Sequence, residues 1–157
     1  MMLFALLACV GGEDVPVDSS AVDTGPFPKG QLALRFDIDA DYRDAMSEPA
    51  LGHFRGSFWR SDEVEAIGPI DGAEDLGSIA VDNIDLTGDA TAVLFTSEPL
   101  PPIEVTVLGF LDSDGNMDPD NPDPDSKDPV TLPNENEFQV VSDETTEITV
   151  WFGFLSP

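Results

Sequence analysis

Three segments of this chain carry apolar residues at every second position, and this period of two constrains the fold more than any other feature. The segments are residues 31–38, 103–111 and 148–155. Because successive side chains of a β-strand point to opposite faces, such a pattern is typical of a strand with one buried face. The residues expected to face the core in the first segment are Leu32, Leu34, Phe36 and Ile38.

Shorter segments extend this pattern to an all-β prediction. The additional candidate strands are residues 53–60, 63–67, 78–87, 92–96 and 138–141. Glycine and proline, 13 and 14 in a chain of 157 residues, favour turns between short elements over long helices. We therefore predict one domain over residues 31–157, an antiparallel β-sandwich or a barrel of about seven or eight strands, with a short helix within 41–50.

The last candidate strand is apolar on both faces, which predicts a central place in the sheet or a cover from the 41–50 segment. One face is predicted to carry Ile148, Val150, Phe152 and Phe154, and the other Trp151 and Leu155.

The charge of the chain limits its partners. The formal net charge is −26, and 23 of the 32 acidic residues follow Arg60, where Lys127 is the one basic residue. Such a surface repels phosphate backbones and anionic lipid headgroups, so we expect no binding to nucleic acid and no electrostatic docking on a membrane. Cations are the expected partners, although high charge also serves solubility alone.

Residues 1–8 (MMLFALLA) are continuously apolar and precede Cys9, the single cysteine. Eight residues are too few to span a bilayer, which needs about 20, and a short apolar segment before a small residue is typical of an export signal. The sequence Leu6-Leu7-Ala8-Cys9 resembles the lipobox of bacterial lipoproteins. The resemblance implies cleavage before Cys9 and attachment of lipid to its thiol.

Other features of this region bear on that interpretation. A lone cysteine has no intramolecular disulfide partner, and lipidation gives it a role. No Lys or Arg precedes the apolar segment, whereas signal peptides normally begin with positive charge, so an apolar start to a soluble chain is the alternative. The residue after the cysteine is Val10 rather than Asp, which resembles the pattern of Gram-negative lipoproteins that are transported onward to the outer membrane. Residues 9–30, rich in Gly, Pro, Ser and Asp, are predicted to form a flexible tether.

An Asp-rich segment follows the strand predicted at 103–111. Residues 112–129 (DSDGNMDPDNPDPDSKDP) contain seven aspartates and four prolines, which exclude a regular strand or helix. Calcium takes six to eight oxygen ligands, often from carboxylates spaced two residues apart on a tight turn. The predicted ligands in a calcium loop at 112–123 are Asp112, Asp114, Asn116, Asp118, Asp120 and Asp123. The alternative is a solvated acidic loop without metal.

This loop departs from an EF-hand, since Met117 stands at position six where that motif requires glycine. Residues 109–116 (GFLDSDGN), with Asp128-Pro129-Val130 at the return to the sheet, instead resemble the Asp-Gly-Asn loop of exported β-sandwich domains of the transthyretin-like and carboxypeptidase-regulatory-like kind. The resemblance implies a transthyretin-like or immunoglobulin-like sandwich and leaves the activity open.

No set of residues identifies a reaction. The sequence contains no G-x-S-x-G, no H-E-x-x-H and no C-x-x-C, and its one histidine, His53, lies in a candidate strand. We therefore expect a non-catalytic lipoprotein of the cell envelope, a tethered binding or structural module that meets a protein or a glycan. The alternative is a carboxylate-dependent hydrolase, which requires two carboxylates about 5–10 Å apart in one cleft.

Overall fold

The computed structural model describes residues 28–45, 49–118 and 122–157, so Cys9 and the predicted signal lie outside the described residues. Within them lie one helix of six residues, two short 3-10 turns and ten strands. The helix is α1 (Ala40–Ala45), and the 3-10 turns are Ser61–Glu63 and Pro133–Glu135. The strands are β1 (Gln31–Ile38), β2 (Leu51–Arg60), β3 (Val64–Glu65), β4 (Gly68–Pro69), β5 (Gly77–Asp85), β6 (Phe95–Thr96), β7 (Glu104–Asp112), β8 (Pro129–Thr131), β9 (Glu137–Gln139) and β10 (Thr145–Leu155).

The all-β prediction is confirmed. Eight strands form one sheet in the order β5-β2-β7-β8-β10-β1-β6, with β9 also paired to β7, and the sheet curls until it is nearly barrel-like. Strands β3 and β4 form a separate small hairpin. The arrangement differs from a purely antiparallel one at the pairing of β1 with β10, which is parallel over eight residue pairs. The first and last described strands therefore lie side by side.

The alternation of β1 places its apolar side chains as predicted. Leu32, Leu34 and Phe36 are fully buried, and Ile38 is nearly so. The curled sheet brings the Phe36, Phe54 and Phe152 rings together, with centroids 4.9 Å (Phe36–Phe54), 5.7 Å (Phe54–Phe152) and 6.3 Å (Phe36–Phe152) apart. A Cβ atom on Gly109 would lie 2.6 Å from Cζ of Phe54, so only glycine leaves room for this ring.

The alternation of β10 is interrupted, and the prediction for Phe154 was wrong. The pairing of β10 with β8 shifts register between Phe152 and Phe154, which is the mark of a β-bulge. The extra residue turns Phe154 to the outer face, where its exposed fraction is 42%, while Phe152 stays in the core. Strand β10 is central, between β1 and β8, as its two apolar faces predicted.

Two short strands share one edge of β7, and Asn136 fills the space between them. Strand β9 pairs with Glu104–Thr106, and β8 pairs at Phe110. Asn136 is fully buried; its side-chain oxygen accepts a hydrogen bond from the Trp151 backbone N–H, and its Nδ2 donates to the Trp151 carbonyl. A side chain thus replaces a strand partner of β10. The alternation of apolar residues in the sequence did not predict β8, because a strand of three residues is too short to show alternation.

Candidate functional site

The acidic loop begins with a tight turn at the end of β7. Asp112 is buried, and its Oδ1 accepts a hydrogen bond from the Gly115 backbone N–H at 2.8 Å. Gly115 has a φ of 75°, a conformation that glycine adopts without strain. The first predicted calcium ligand therefore holds the turn of its own loop.

The next two predicted ligands bind each other. Asp114 accepts hydrogen bonds from the backbone N–H of Asn116 at 3.1 Å and from its Nδ2 at 2.8 Å. The same Nδ2 donates to Oδ2 of Asp125 at 2.5 Å. Asn116 thus connects the two arms of the loop through its donor group.

Asp128 holds the base of the loop, and sequence reasoning treated it only as a return to the sheet. Its carboxylate is buried and accepts three hydrogen bonds, each 3.2 Å long, from the Ser113 backbone N–H, the Ser113 hydroxyl and the Asp125 backbone N–H. The pKa of the Asp128 carboxyl is raised above its ordinary value, and burial is the largest cause. The charge of Asp125 raises the pKa further, whereas the three hydrogen bonds lower it. An Asp-Pro pair before an apolar residue is the sequence signal for this position.

The geometry does not assemble the predicted calcium ligands. Among the described residues, no group of three or more Asp, Glu, His or Cys side chains is placed to hold a metal ion. Asp118 and Asp123 are exposed, and Asp120 lies outside the described residues. The carboxylates of Asp112 and Asp128 accept hydrogen bonds from backbone amides. Calcium binding at 112–123 stays a prediction.

A groove of about 790 Å³ lies on the outer face of the sheet. Its surface is mainly apolar. The apolar side chains that line it from the strands include Trp59, Leu108, Phe110, Val130 and Phe154. The outward turn of Phe154 at the β-bulge contributes one of these rings, so the feature that broke the predicted alternation also helps to build the groove.

Two loops border the groove. One is the β3–β4 hairpin, whose residues Ala66 to Pro69 line it. Ile67, in the turn of this hairpin, has an exposed fraction of 99%. The other border is the end of the acidic loop, residues 122–124. The segment predicted to bind calcium therefore also shapes the groove, and an apolar residue in a hairpin turn is the sequence signal for its other border.

The two arginines of β2, Arg55 and Arg60, are paired with acidic side chains. Arg55, which lines the groove, donates from Nη2 to Oδ1 of Asp82 at 2.8 Å, and His53 Nδ1 lies 3.1 Å from the same oxygen. The hydrogen bond from Arg55, and then that from His53, lower the pKa of Asp82. At the end of β2, Arg60 lies 3.3 Å from Asp62 and 3.7 Å from Glu63. These pairs neutralise the arginines of β2.

Comparison with protein-family models, with curated proteins and with solved structures gives no match. In the part of the chain that the structure describes, no helix has the length and apolar character needed to cross a bilayer.

Proposed function

We propose that this chain is a non-catalytic binding module of the bacterial cell envelope, and that the outer groove is where it meets its partner. In this proposal, lipid on Cys9 anchors it to the membrane, residues 9–30 act as the tether, and Val10 favours the outer membrane of a Gram-negative cell. The binding role rests on one observation: the exposed apolar side chains of Ile67 and Phe154 line the same groove.

The size and lining of the groove support this role. Pockets that bind ligands commonly enclose about 300–1,000 Å³ and are lined mostly by apolar side chains, and the groove fits both descriptions. Single exposed apolar residues are common on soluble proteins, whereas apolar side chains that share one concave surface mark interaction sites. Covering them with a partner would remove that apolar surface from water.

The binding role is tested by capture from envelope fractions with a matched pair of variants. The groove variant is Ile67→Ser with Phe154→Ser, and the control is Val93→Ser with Leu94→Ser, which removes two exposed apolar residues outside the groove lining. We expect the full-length protein and the control to retain the same partner and the groove variant to lose it, with all three showing cooperative unfolding. Equal retention by both variants would overturn the proposal.

Lipid attachment has its own test. Expression of the full chain in a Gram-negative host should give a membrane-associated product whose mass corresponds to cleavage before Cys9 and addition of lipid. The Cys9→Ala variant should keep the uncleaved mass. An identical mass change in both proteins would exclude Cys9 as the attachment site.

Calcium is a separate proposal for the border of the groove, where it would stiffen the loop at 112–123. An ion that binds only the folded state stabilises it by mass action, by about 1.4 kcal/mol at ten times the dissociation constant. Thermal unfolding of the full chain in millimolar calcium and in chelator should therefore differ. The double variant Asp114→Asn, Asp118→Asn should lose the difference; no difference in the parent chain, or an unchanged one in the variant, excludes calcium here.

A further inference from the structure

We infer that the outer groove binds an extended peptide segment that combines apolar and basic residues, an inference that rests on the proposed binding function. The occupant must match both the apolar lining of the groove and the charge at its borders. The lining favours apolar side chains, because it includes the rings of Trp59 and Phe154.

Two polar side chains of the groove lining, those of Arg55 and Thr131, already form hydrogen bonds within the protein. Arg55 donates to Asp82 and to the Phe54 carbonyl, and the Thr131 hydroxyl accepts a hydrogen bond from the Gly109 backbone N–H. A glycan needs many free donors and acceptors, whereas a peptide can place apolar side chains on the groove and keep its charged groups at the border.

The borders carry the charge that selects a basic partner. Glu65, which is exposed, precedes Ala66 in the hairpin, and Asp123 lies in the border formed by residues 122–124. The exposed charged residues that follow in the chain are Asp125 and Lys127. Since Arg55 and Arg60 are each paired with acids, the groove lies in a field set by carboxylates. Such a field attracts cationic segments and rejects acidic ones.

The direct test uses Trp59 as the reporter of the groove. The chain has two tryptophans, and Trp151 does not line the groove, so full-length protein with Trp151→Phe reports from Trp59 alone. The probes are a short soluble peptide of Leu, Phe and Lys, and matched peptides in which Glu or Gln replaces every Lys. We expect the Lys peptide to change the Trp59 emission and the Glu peptide to bind at least about tenfold more weakly, with binding that weakens as salt rises.

Two matched charge variants show where the preference arises. The double variant Glu65→Gln, Asp123→Asn removes two negative charges at the groove. It should weaken the binding of the Lys peptide by about threefold or more. Asp89→Asn with Glu98→Gln removes two negative charges from exposed residues that do not line the groove, and should leave binding unchanged. Equal weakening by both variants would show attraction to the net charge alone and would overturn the inference.

The remaining outcomes separate this inference from the proposed function. If the Glu or Gln peptide binds as well as the Lys peptide and Ile67→Ser removes that binding, the groove binds peptides but does not select basic ones. If a soluble oligosaccharide changes the Trp59 emission and the peptides do not, the peptide inference is wrong and the binding role stands. If no probe binds and the groove variant captures the same envelope partner as the parent chain, both are wrong.

Discussion

The two faces of the main sheet carry the same kinds of side chain in opposite circumstances. On the inner face, Phe36, Phe54 and Phe152 contact one another and are fully buried. On the outer face, Phe154 lines an open groove that Ile67 of the β3–β4 hairpin borders, and both side chains are exposed. The difference teaches that apolar residues in this chain have two roles, because burial on the inner face stabilises the fold whereas burial on the outer face requires a partner.

The largest expected effect comes from the same truncation made on each face. Phe54→Ala removes a ring that packs against two others and leaves a cavity, so the free energy of unfolding should fall by about 3–5 kcal/mol. Phe154→Ala removes a half-exposed ring and should lower it by about 1–1.5 kcal/mol. Denaturant unfolding of the two variants measures both values. Equal losses would show that the outer face is part of the folding core.

The next largest effect concerns the acidic loop that borders the groove. Asp128→Ala leaves the Ser113 and Asp125 backbone N–H groups without their acceptor in a buried place, which should lower the free energy of unfolding by about 1–3 kcal/mol. The control is Asp114→Ala, because Asp114 is an exposed residue of the same loop. The exposed Asp143 is a poorer control, because it has a φ of 60° and alanine at that position would be strained. A loss from Asp128→Ala no larger than that from Asp114→Ala would mean that Asp128 does not hold the loop.

The pH dependence of stability follows from the raised pKa of Asp128. A carboxyl whose pKa is higher in the folded than in the unfolded chain stabilises the fold when protonated, and this contribution is lost as pH rises through the folded pKa. Asp128→Asn removes the titration. The stability of the Asn variant relative to the parent chain should therefore rise as pH increases from below the ordinary Asp value towards neutrality. Unfolding across this range checks the sign, and a falling difference would contradict it.

The smallest expected effect on stability belongs to Ile67. Because its side chain is almost completely exposed, Ile67→Ser should change the free energy of unfolding by less than about 0.5 kcal/mol. The same change should weaken groove binding several-fold. Ile67 would then contribute to binding but not to folding, unlike the residues of the inner face. A large loss of folding stability in Ile67→Ser would contradict this distinction.

Much of the fold could be predicted because alternation reports burial directly. Leu32, Leu34 and Phe36 lie in the core where the pattern placed them, and the helix, Ala40–Ala45, overlaps the predicted 41–50 segment. The parallel pairing of β1 and β10 could not be predicted, since strand direction depends on contacts between the ends of the described chain. The place of Phe154 depends on a bulge at Gly153, which a periodic pattern cannot contain.

The candidate sites were less accessible to sequence reasoning. The spacing of Asp112, Asp114 and Asn116 identified the loop but not its hydrogen bonds, because the same carboxylates can bind a cation or their own backbone amides. The groove arises from separate segments of the chain, which contribute Trp59, Ile67 and Phe154 among others, and no local motif connects them. Only the folded sheet brings them together.

Hydrogen exchange of the full-length protein, with and without the Lys-containing peptide, tests the central claim most directly. Binding in the outer groove should slow exchange in the β3–β4 hairpin, at residues 64–68, and at residues 130–131, and should leave residues 91–97 unchanged, since they lie outside the groove lining. Protection confined to 91–97, or spread evenly over the chain, would contradict the assignment of the groove as the binding surface.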